Sequence, residues 1–357
     1  MKVSIIVPTY NERENLEVLV KKIDDSLGDR DYEIVIVDDN SPDGTWELAQ
    51  ELSQSYPIKL VKREGKRGLA SAVVDGFSHA AGQCLVVMDA DLQHPPELVP
   101  KLVDAVKSGA DLAIASRYVE GGEVRGWSLS RRLISRGATW LAKLFLTDVK
   151  DPMSGFFALR RGVVEGVDLR PEGYKILLEI LVKGRHSSVV EVPYTFKPRR
   201  LGRSKIGAKE YAKYLKHLIS LMRYKGELQR LLKFVMVGVS GVLVNEGLLF
   251  TLTELLGIHY LLSALISIEC SILSNFALND VWTFRDRRGH GTRSLLKRMV
   301  KSNIGFGAGV LLNLLVLFLL TELGGLHYLI SNLLGIVAAF IWNFLISMRW
   351  IWKQKIL

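Results

Sequence analysis

The chain has 357 residues, a formal net charge of +10 and two cysteines. This length accommodates two domains, and the composition changes near residue 230 from that of a soluble α/β protein to long apolar runs. Cys84 and Cys270 lie in these two different regions, so no disulfide framework is expected. The amino-terminal MKVSIIVPTYNE is too short an apolar run for a signal peptide. Basic clusters beside membrane segments explain the charge better than nucleic-acid binding does, and no nucleic-acid partner is expected.

In residues 1–225, apolar runs alternate with helical patterns. The predicted strands are VSIIVP, YEIVIVDD, IKLV, QCLVVMDAD and ADLAIAS, and helices are predicted over 14–27 and 45–55, from Leu69 and from Pro95. Strands that are apolar throughout, with helices between them, predict a mainly parallel, Rossmann-like sheet covered on both faces. Ligands then bind at the carboxyl ends of the strands. No GxGxxG motif follows a strand, which argues against a dinucleotide-dependent dehydrogenase.

Acidic side chains follow three of these predicted strands directly. They are Glu12 after the first strand, Asp38 and Asp39 after the second, and Asp89 and Asp91 after the fourth. Two carboxylates one residue apart repel each other, and a cation between them relieves that repulsion. Oxygen ligands select Mg²⁺ or Mn²⁺, which keep coordination positions open for substrate phosphates. The stretch VVMDADLQHPPE therefore predicts a metal–diphosphate site.

A helix cap is the alternative interpretation of this stretch. Asp91 or His94 could cap a helix that begins at Pro95 and Pro96. A cap explains one polar residue but leaves Asp89 unexplained. His94 has no metal-ligand spacing, and we expect it to be structural.

Several separated motifs in residues 1–225 resemble those of the dolichyl-phosphate mannose synthases, which are family 2 glycosyltransferases of the GT-A fold. The motifs are VPTYNERENL, IVIVDDNSPDGT, MDADLQHPPE, ASRYVEGG, GWSLSRRLISRGA and GRSKIG. The resemblance implies GDP-mannose as donor and dolichyl or another polyprenyl phosphate as acceptor. It also implies Asp89, Asp91 and Gln93 as ligands of Mg²⁺ or Mn²⁺, with Ala90 against the nucleotide.

The same resemblance implies roles for further residues. Those that hold the nucleoside are Pro8, Tyr10, Glu12, Val37 and Asp39. Those that bind the acceptor phosphate are Arg117, Arg131, Ser135, Arg203 and Lys205, of which Arg117, Arg203 and Lys205 also contact the donor. The residues implied to be catalytic are Asp91, Arg117 and Arg131.

The expected chemistry agrees with a phosphate acceptor. A hydroxyl acceptor needs a general base, whereas a phosphate monoester, with a second pKa of about 6, is already a nucleophilic anion. The segment SGFFALRR, where many relatives with hydroxyl acceptors place a base, contains no carboxylate. We therefore expect in-line attack with inversion, assisted by positioning and by charge neutralisation on the leaving diphosphate.

A lipid acceptor requires contact with a membrane, and two amphipathic helices are predicted to provide it. They span about 130–147, with Leu133, Leu141, Leu144 and Phe145 on one face, and about 207–224, with Tyr211, Leu215, Leu218 and Met222. Both resemble helices that lie in the bilayer interface, although ordinary packing on the sheet is the alternative. Between them, KPRRLGRSKIG is basic and glycine-bearing, which predicts a mobile phosphate-gripping loop.

Residues 230–357 are predicted to form an all-α transmembrane domain with four spans. The spans are about 232–256, 260–284, 299–320 and 326–351, and each is long enough to cross a bilayer. No Lys or Arg occurs between Lys233 and Arg285 or between Lys301 and Arg349. The basic loop RDRRGHGTRSLLKR and the carboxyl-terminal tail are therefore predicted to be cytoplasmic. Both termini and the catalytic domain are then cytoplasmic.

These spans contain an internal repeat. TELLGIHYLLS at 253–263 recurs as TELGGLHYLIS at 321–331, an offset of 68 residues, so two two-helix units form a parallel repeat. The region resembles GtrA-like domains, mostly by its architecture. Glu246 and Glu269 lie inside spans, where we expect either a functional role or helix–helix contacts.

Two other functions remain open on the sequence alone. The nucleotide contacts are mostly generic, so a polyprenyl-phosphate glucosyltransferase that uses UDP-glucose fits them too. A lipid-linked sugar transporter with a nucleotide-sensing soluble domain is the alternative from another class.

Overall fold

The structure is a computed structural model that describes residues 1–64, 68–170, 175–197 and 208–353, with side chains in the last range described from residue 212. It divides into two compact units, Met1–Lys225 and Gly226–Leu357. The first unit is α/β and the second contains long helices. The predicted fold class, a mainly parallel GT-A-like sheet followed by four apolar helices, is confirmed.

The first unit contains nine strands and seven helices within its described residues. The strands are β1 (Val3–Thr9), β2 (Tyr32–Asp38), β3 (Ile58–Lys62), β4 (Cys84–Val87), β5 (Leu112–Ser116), β6 (Glu123–Val124), β7 (Phe157–Arg160), β8 (Val189–Pro193) and β9 (Thr195–Phe196). The helices are α1 (Arg13–Leu27), α2 (Thr45–Leu52), α3 (Leu69–His79), α4 (Val99–Lys107), α5 (Leu129–Phe145), α6 (Ile176–Lys183) and α7 (Ala208–Tyr224).

Seven strands form one sheet in the order β3-β2-β1-β4-β7-β5-β8, and β6 pairs with β9 separately. Side chains alternate between two cores, as the two-residue period of a strand requires. Ile5 and Ile34 pack on one face with α1 and α4, whereas Ile6 and Val35 pack on the other with α3 and α6. Both faces of the sheet are thus covered and excluded from solvent, which explains why the strands are apolar throughout.

Strand β7 differs from the predicted parallel pattern. It runs antiparallel to both neighbours, with Val86 opposite Ala158 on one side and Ala113 opposite Ala158 on the other. Its four residues lie inside SGFFALRR, a segment that the sequence singled out without assigning it a strand. A short apolar run does not encode its direction, so the inversion could not be derived from the pattern.

In helices α5 and α7, only some of the residues predicted to form the apolar face are buried. In α5, Leu144 is buried but Leu133 is 70% exposed, so the predicted stripe divides into a packed and an open half. In α7, Leu218 and Met222 are buried as expected, but Leu215 is 48% exposed. Tyr214 takes its place, and its Oη donates to the Ala138 carbonyl of α5 at 2.8 Å. Tertiary packing therefore moves the buried face by one position.

The second unit has four main helices, each extended by a π-helical turn. They are α8 (Glu227–Phe250), α9 (Tyr260–Leu278), α10 (Thr292–Phe318) and α11 (Tyr328–Ile346). The turns are Thr251–Leu255, Asn279–Thr283, Leu319–Leu323 and Ser347–Ile351. With these turns, all four helices are long and apolar enough to cross a membrane.

The offset of 68 residues in the sequence also relates these elements in space. The turns at Thr251–Leu255 and Asn279–Thr283 recur 68 residues later. A Cβ on Gly241 would overlap the Asn275 side chain, and one on Gly309 would overlap Asn343. Each helix pair therefore approaches closely at a glycine that faces an asparagine.

The two acids inside the predicted spans differ in their contacts. Asn303 Nδ2 of α10 donates to Glu269 Oε1 of α9 at 2.5 Å, which is a helix–helix contact of the kind expected. Glu246 accepts a longer bond, of 3.3 Å, from the neighbouring Asn245.

Candidate active site

The residues predicted to hold the nucleoside and the metal lie at one edge of the sheet. Strand β1 is the parallel neighbour of both β2 and β4, so the three carboxyl ends that carry acids stand side by side. Arg117 follows β5, two positions further along the same sheet. The structure thus places the predicted nucleoside and metal residues on three adjacent strand ends.

A tight turn at the end of β4 holds Asp89, Asp91 and Gln93. Leu92 adopts φ +58°, and Asp91 Oδ1 accepts the Gln93 N–H at 3.1 Å. Gln93 Nε2 donates to the Lys197 carbonyl at 2.9 Å, which fixes the rotation of its amide. Asp91 is buried, whereas the Asp89 side chain is 30% exposed. The two carboxylates therefore differ in their access to a ligand.

His94 supports this turn and is not a cap. The Asp89 N–H donates to His94 Nδ1 at 3.0 Å, so Nδ1 is unprotonated. The ring stacks on Phe156 at 5.2 Å, and burial lowers the pKa of His94 to about 4. The 3₁₀ turn Pro96–Leu98 has no side-chain cap, so the capping interpretation of Asp91 or His94 is wrong.

Oxygen atoms alone make up the predicted metal set, namely two carboxylates and one amide. Among the described residues, no three His, Cys, Asp or Glu side chains cluster as a metal site. The donor set at β4 nevertheless fits a hard divalent ion, which takes one or two carboxylates and fills its other positions with water and substrate phosphates.

On the nucleotide side, Asp38 and Asp39 have different partners. Asp38 accepts hydrogen bonds from Thr9 Oγ1 and from the Ser41 N–H and hydroxyl, so it stabilises the loop. Asp39 accepts the Gly68 N–H at 2.9 Å and lies 3.2 Å from Arg63 Nε. Gly68 has φ +101°, a conformation that favours glycine.

The other predicted nucleoside residues sit on β1 and β2. Pro8 is buried opposite Val37, while Tyr10 and Glu12 are half-buried in the loop that follows. The Val37 side chain is fully buried in the core, so only its backbone can meet a ligand. Ala90 is also buried.

Arg117 is held by an aspartate that the sequence analysis did not identify. Its Nε and Nη2 both donate to Asp151 at 2.7 Å, and its backbone N–H donates to the same carboxylate at 3.0 Å. Asp151 is fully buried. Burial opposes the charged form, but Asp151 raises the pKa of Arg117. The guanidinium is therefore a fixed positive charge.

Trp127 contacts two of the predicted acceptor residues, Arg117 and Arg131. The guanidinium carbons of Arg131 and Arg117 lie 4.4 Å and 5.4 Å from its ring centroid. Ser135 Oγ lies 3.2 Å from the hydroxyl of Tyr118, whose ring also contacts Arg117. Trp127 Nε1 is buried and has no hydrogen-bond partner in the described part of the chain. An N–H beside two guanidinium groups is a donor set for an anion.

Lys175 is a second residue that the sequence analysis missed. Its Nζ donates to the Met153 carbonyl at 2.8 Å. Burial, followed by the neighbouring Arg117, lowers the pKa of Lys175 to about 7. Asp89 raises this pKa and Arg131 lowers it, so both charges lie within electrostatic reach of the Lys175 ammonium.

Asp151 lies three residues before SGFFALRR, where many relatives with hydroxyl acceptors place a base, and this position is the sequence feature that could have identified it. Its partner Arg117 is 34 residues away, so the ion pair itself has no local sequence signal. Arg203 and Lys205 lie outside the described residues, as does all of the predicted loop KPRRLGRSKIG except Lys197.

Comparison with known proteins identifies the class. The model of glycosyl transferase family 2 matches residues 4–167, and the model of the GtrA/DPMS transmembrane domain matches residues 233–352. The chain thus joins a family 2 glycosyltransferase domain to a GtrA-type membrane domain. The weaker of the two resemblances noted in the sequence, to GtrA-like domains, is confirmed.

Similar proteins narrow this class. The dolichol-phosphate mannosyltransferase of Pyrococcus furiosus is 52% identical over 356 residues, covering 99% of both chains. That of Saccharomyces cerevisiae is 39% identical over 245 residues, or 65% of this chain and 91% of its own. Glucosyl-3-phosphoglycerate synthase from Mycobacterium tuberculosis, solved with Mn²⁺ and UDP, has a TM-score of 0.48 and 21% identity over 62% of this chain and 78% of its own. The chain belongs to the dolichol-phosphate mannosyltransferase family.

Proposed function

We propose that this protein transfers mannose from GDP-mannose to the phosphate of dolichol or another polyprenol, with inversion, and that it depends on Mg²⁺ or Mn²⁺. The full-length similarity to a dolichol-phosphate mannosyltransferase supports the sugar and the acceptor. The geometry adds one observation on which the acceptor class depends, namely that the carboxylate nearest to the expected base is already committed to an arginine.

That observation concerns Asp151. A base for a hydroxyl acceptor must reach the proton that it removes, and it must have a free oxygen. Both Asp151 oxygens accept hydrogen bonds from Arg117, and the carboxyl group is inaccessible to solvent. Asp151 is therefore not available as a base, and the site suits an acceptor that needs none. A phosphate monoester is such an acceptor.

The positive charges near the site fit two phosphate-bearing substrates. Arg117 and Arg131 flank Trp127, while Lys175 is influenced by both of them and by Asp89. These groups would neutralise the acceptor phosphate and the donor diphosphate, which otherwise repel each other as they approach. They would also hold the acceptor oxygen in line with the bond that breaks.

Asp89, Asp91 and Gln93 would hold the divalent cation. When bound, such a cation supplies charge neutralisation to the leaving diphosphate. Asp91 is oriented for this role by the Gln93 N–H, and Asp89 is the more accessible carboxylate. Asp39, fixed by Arg63 and Gly68, would receive the nucleoside beside Tyr10.

Both units would attach the protein to a membrane, the second through its four apolar helices. In the first unit, the amino-terminal half of α5 exposes Leu129, Leu133 and Ile134 beside Arg132, a combination typical of an interfacial helix. We place the catalytic unit and both termini in the cytoplasm, because the basic loop that begins at Arg285 connects the second and third spans.

A donor screen tests the function. The full chain in detergent is incubated with dolichyl phosphate, Mn²⁺ or Mg²⁺, and labelled GDP-mannose or UDP-glucose. Label should enter lipid from GDP-mannose, and transfer from UDP-glucose alone would overturn the assignment. Asp91→Ala should abolish transfer, whereas Asp104→Ala, at a surface ion pair with Arg30, should leave it unchanged. Full activity of Asp91→Ala with EDTA present would refute the metal site.

A further inference from the structure

A polar cleft opens at one end of the membrane unit, where α8 begins and α9 ends. Its volume is about 570 Å³. The cleft is lined by Arg230, Lys233, Val281, Trp282, Thr283, Arg285 and Asp286, together with Gly226 and Gln229. Three of these side chains are cations and one is an anion. The cleft therefore carries a positive charge at the end of two apolar spans.

Two of the cations have no carboxylate partner in the described part of the chain. The Lys233 ammonium lies 5.6 Å from the centroid of the Trp282 ring, and Arg285 is exposed. Arg230, by contrast, pairs with Asp286 at 2.7 Å and with Glu227 at 3.2 Å. Lys233 and Arg285 thus provide positive charge that the protein does not neutralise itself.

The cleft also contains a buried hydroxyl. Thr283 is 4% exposed, and its Oγ1 forms no hydrogen bond within the described residues. A buried polar group without a partner is unfavourable unless a ligand or water satisfies it. The hydroxyl and the two cations are complementary to an anion with oxygen acceptors.

The second repeat shows that this arrangement is not general to the fold. Lys301 corresponds to Lys233 and lies 4.9 Å from Trp350, but its ammonium also donates to the Trp350 carbonyl. Arg298 corresponds to Arg230 and forms a two-bond pair with Asp280. Ile351 stands in the position of Thr283. In the second repeat, Lys301 thus donates to a carbonyl and Arg298 is neutralised by Asp280 of the first repeat, whereas the described residues give Lys233 no such acceptor.

We propose that this cleft binds the phosphodiester headgroup of an anionic membrane lipid. Tryptophan beside lysine or arginine at the end of a span marks the depth of the headgroups. Basic pockets between spans at this depth bind anionic headgroups. The lipid would be a bound component of the protein and not its acceptor, so the proposal does not depend on sugar transfer.

Native mass spectrometry of the full chain tests the cleft directly. The protein is exchanged into detergent with equimolar phosphatidylglycerol and phosphatidylcholine, and the retained lipid is counted. The wild type should retain phosphatidylglycerol preferentially. Lys233→Gln combined with Arg285→Gln removes two charge-assisted contacts and should weaken retention at least about tenfold. Lys301→Gln, the matched change in the second repeat, should retain lipid like the wild type.

Thr283→Val tests the same site without a change of charge. It should weaken phosphatidylglycerol retention while leaving membrane insertion unchanged. Equal retention in all variants, or equal retention of the two lipids by the wild type, would overturn the proposal. Displacement by millimolar inorganic phosphate would instead assign the cleft to a free anion. Retention of dolichyl phosphate but not of phosphatidylglycerol would assign it to the acceptor, and either result rejects a structural lipid.

Discussion

Replacing Asp151 by asparagine should destabilise the catalytic unit severely, although the side chain keeps its shape. The native carboxylate accepts three hydrogen bonds from Arg117 and is fully buried. Asparagine removes the charge and turns an N–H₂ group toward one of the guanidinium donors. Removing one partner of a buried ion pair costs about 3–5 kcal/mol, because the other charge is left uncompensated.

This loss converts into a measurable shift of the unfolding temperature. For a unit of this size, 1 kcal/mol corresponds to about 2–4 °C, so the transition should fall by roughly 6–20 °C. The full chain in detergent is melted while tryptophan fluorescence is recorded, because Trp127 contacts Arg117. Sugar transfer should fall as well, since Arg117 loses its fixed orientation.

The surface pair of Arg170 and Asp168 provides the matched control. Its atoms approach to 2.9 Å, but the side chains are 80% and 71% exposed. Exposed pairs contribute at most about 1 kcal/mol. Asp168→Asn should therefore leave the transition nearly unchanged. Similar losses in the two variants would show that burial does not decide the strength of the Arg117–Asp151 pair.

Three further predictions concern the acceptor cations and the spans. Arg131→Ala should reduce turnover about ten- to a hundredfold, because a lost charge-assisted hydrogen bond costs about 1.5–3 kcal/mol. The affinity for the lipid phosphate should fall more than the affinity for GDP. Equal losses in Arg132→Ala would show that Arg131 contributes only surface charge. The rate with acceptor should rise through about pH 6 as the phosphate ionises and fall above about 7 as Lys175 loses its proton. Lys175→Arg stays charged, so its pH–rate profile should lack the alkaline fall, and a retained fall would contradict that role. Gly309→Ala should lower the unfolding temperature in detergent by overpacking worth about 1–3 kcal/mol, whereas Gly307→Ala, with open space around it, should be neutral or stabilising; equal effects would mean that the close approach is absent.

The sequence predicted those parts of the fold that depend on local pattern. The strand ends at Asp39 and Asp91 were found because apolar runs stop where polar residues begin, and the edge of a parallel sheet then brings such ends together. The four spans were found from their length and composition. Both signals are read within one segment, so no knowledge of distant contacts is needed.

What the sequence did not predict depends on contacts between distant segments. Asp151 and Arg117 are separated by 34 positions, and nothing local marks either one as a partner. Lys175 stands before a helix that was not predicted, and only packing brings it toward Arg131. The exposed position of Leu215 likewise follows from how α7 packs on α5, because helical spacing alone leaves the choice of buried face open.

The matching glycine–asparagine contacts in the two halves of the membrane unit have an evolutionary consequence. Gly241 meets Asn275 within the first helix pair, and Gly309 meets Asn343 within the second. Each pair thus retains its own packing contact, as expected if an ancestral hairpin was duplicated and fused. Once two copies exist, mutations that alter one copy's surface do not remove the packing contact of the other. The two hairpins can therefore differ at one position, which is Thr283 in the first and Ile351 in the second, while each retains its packing contact.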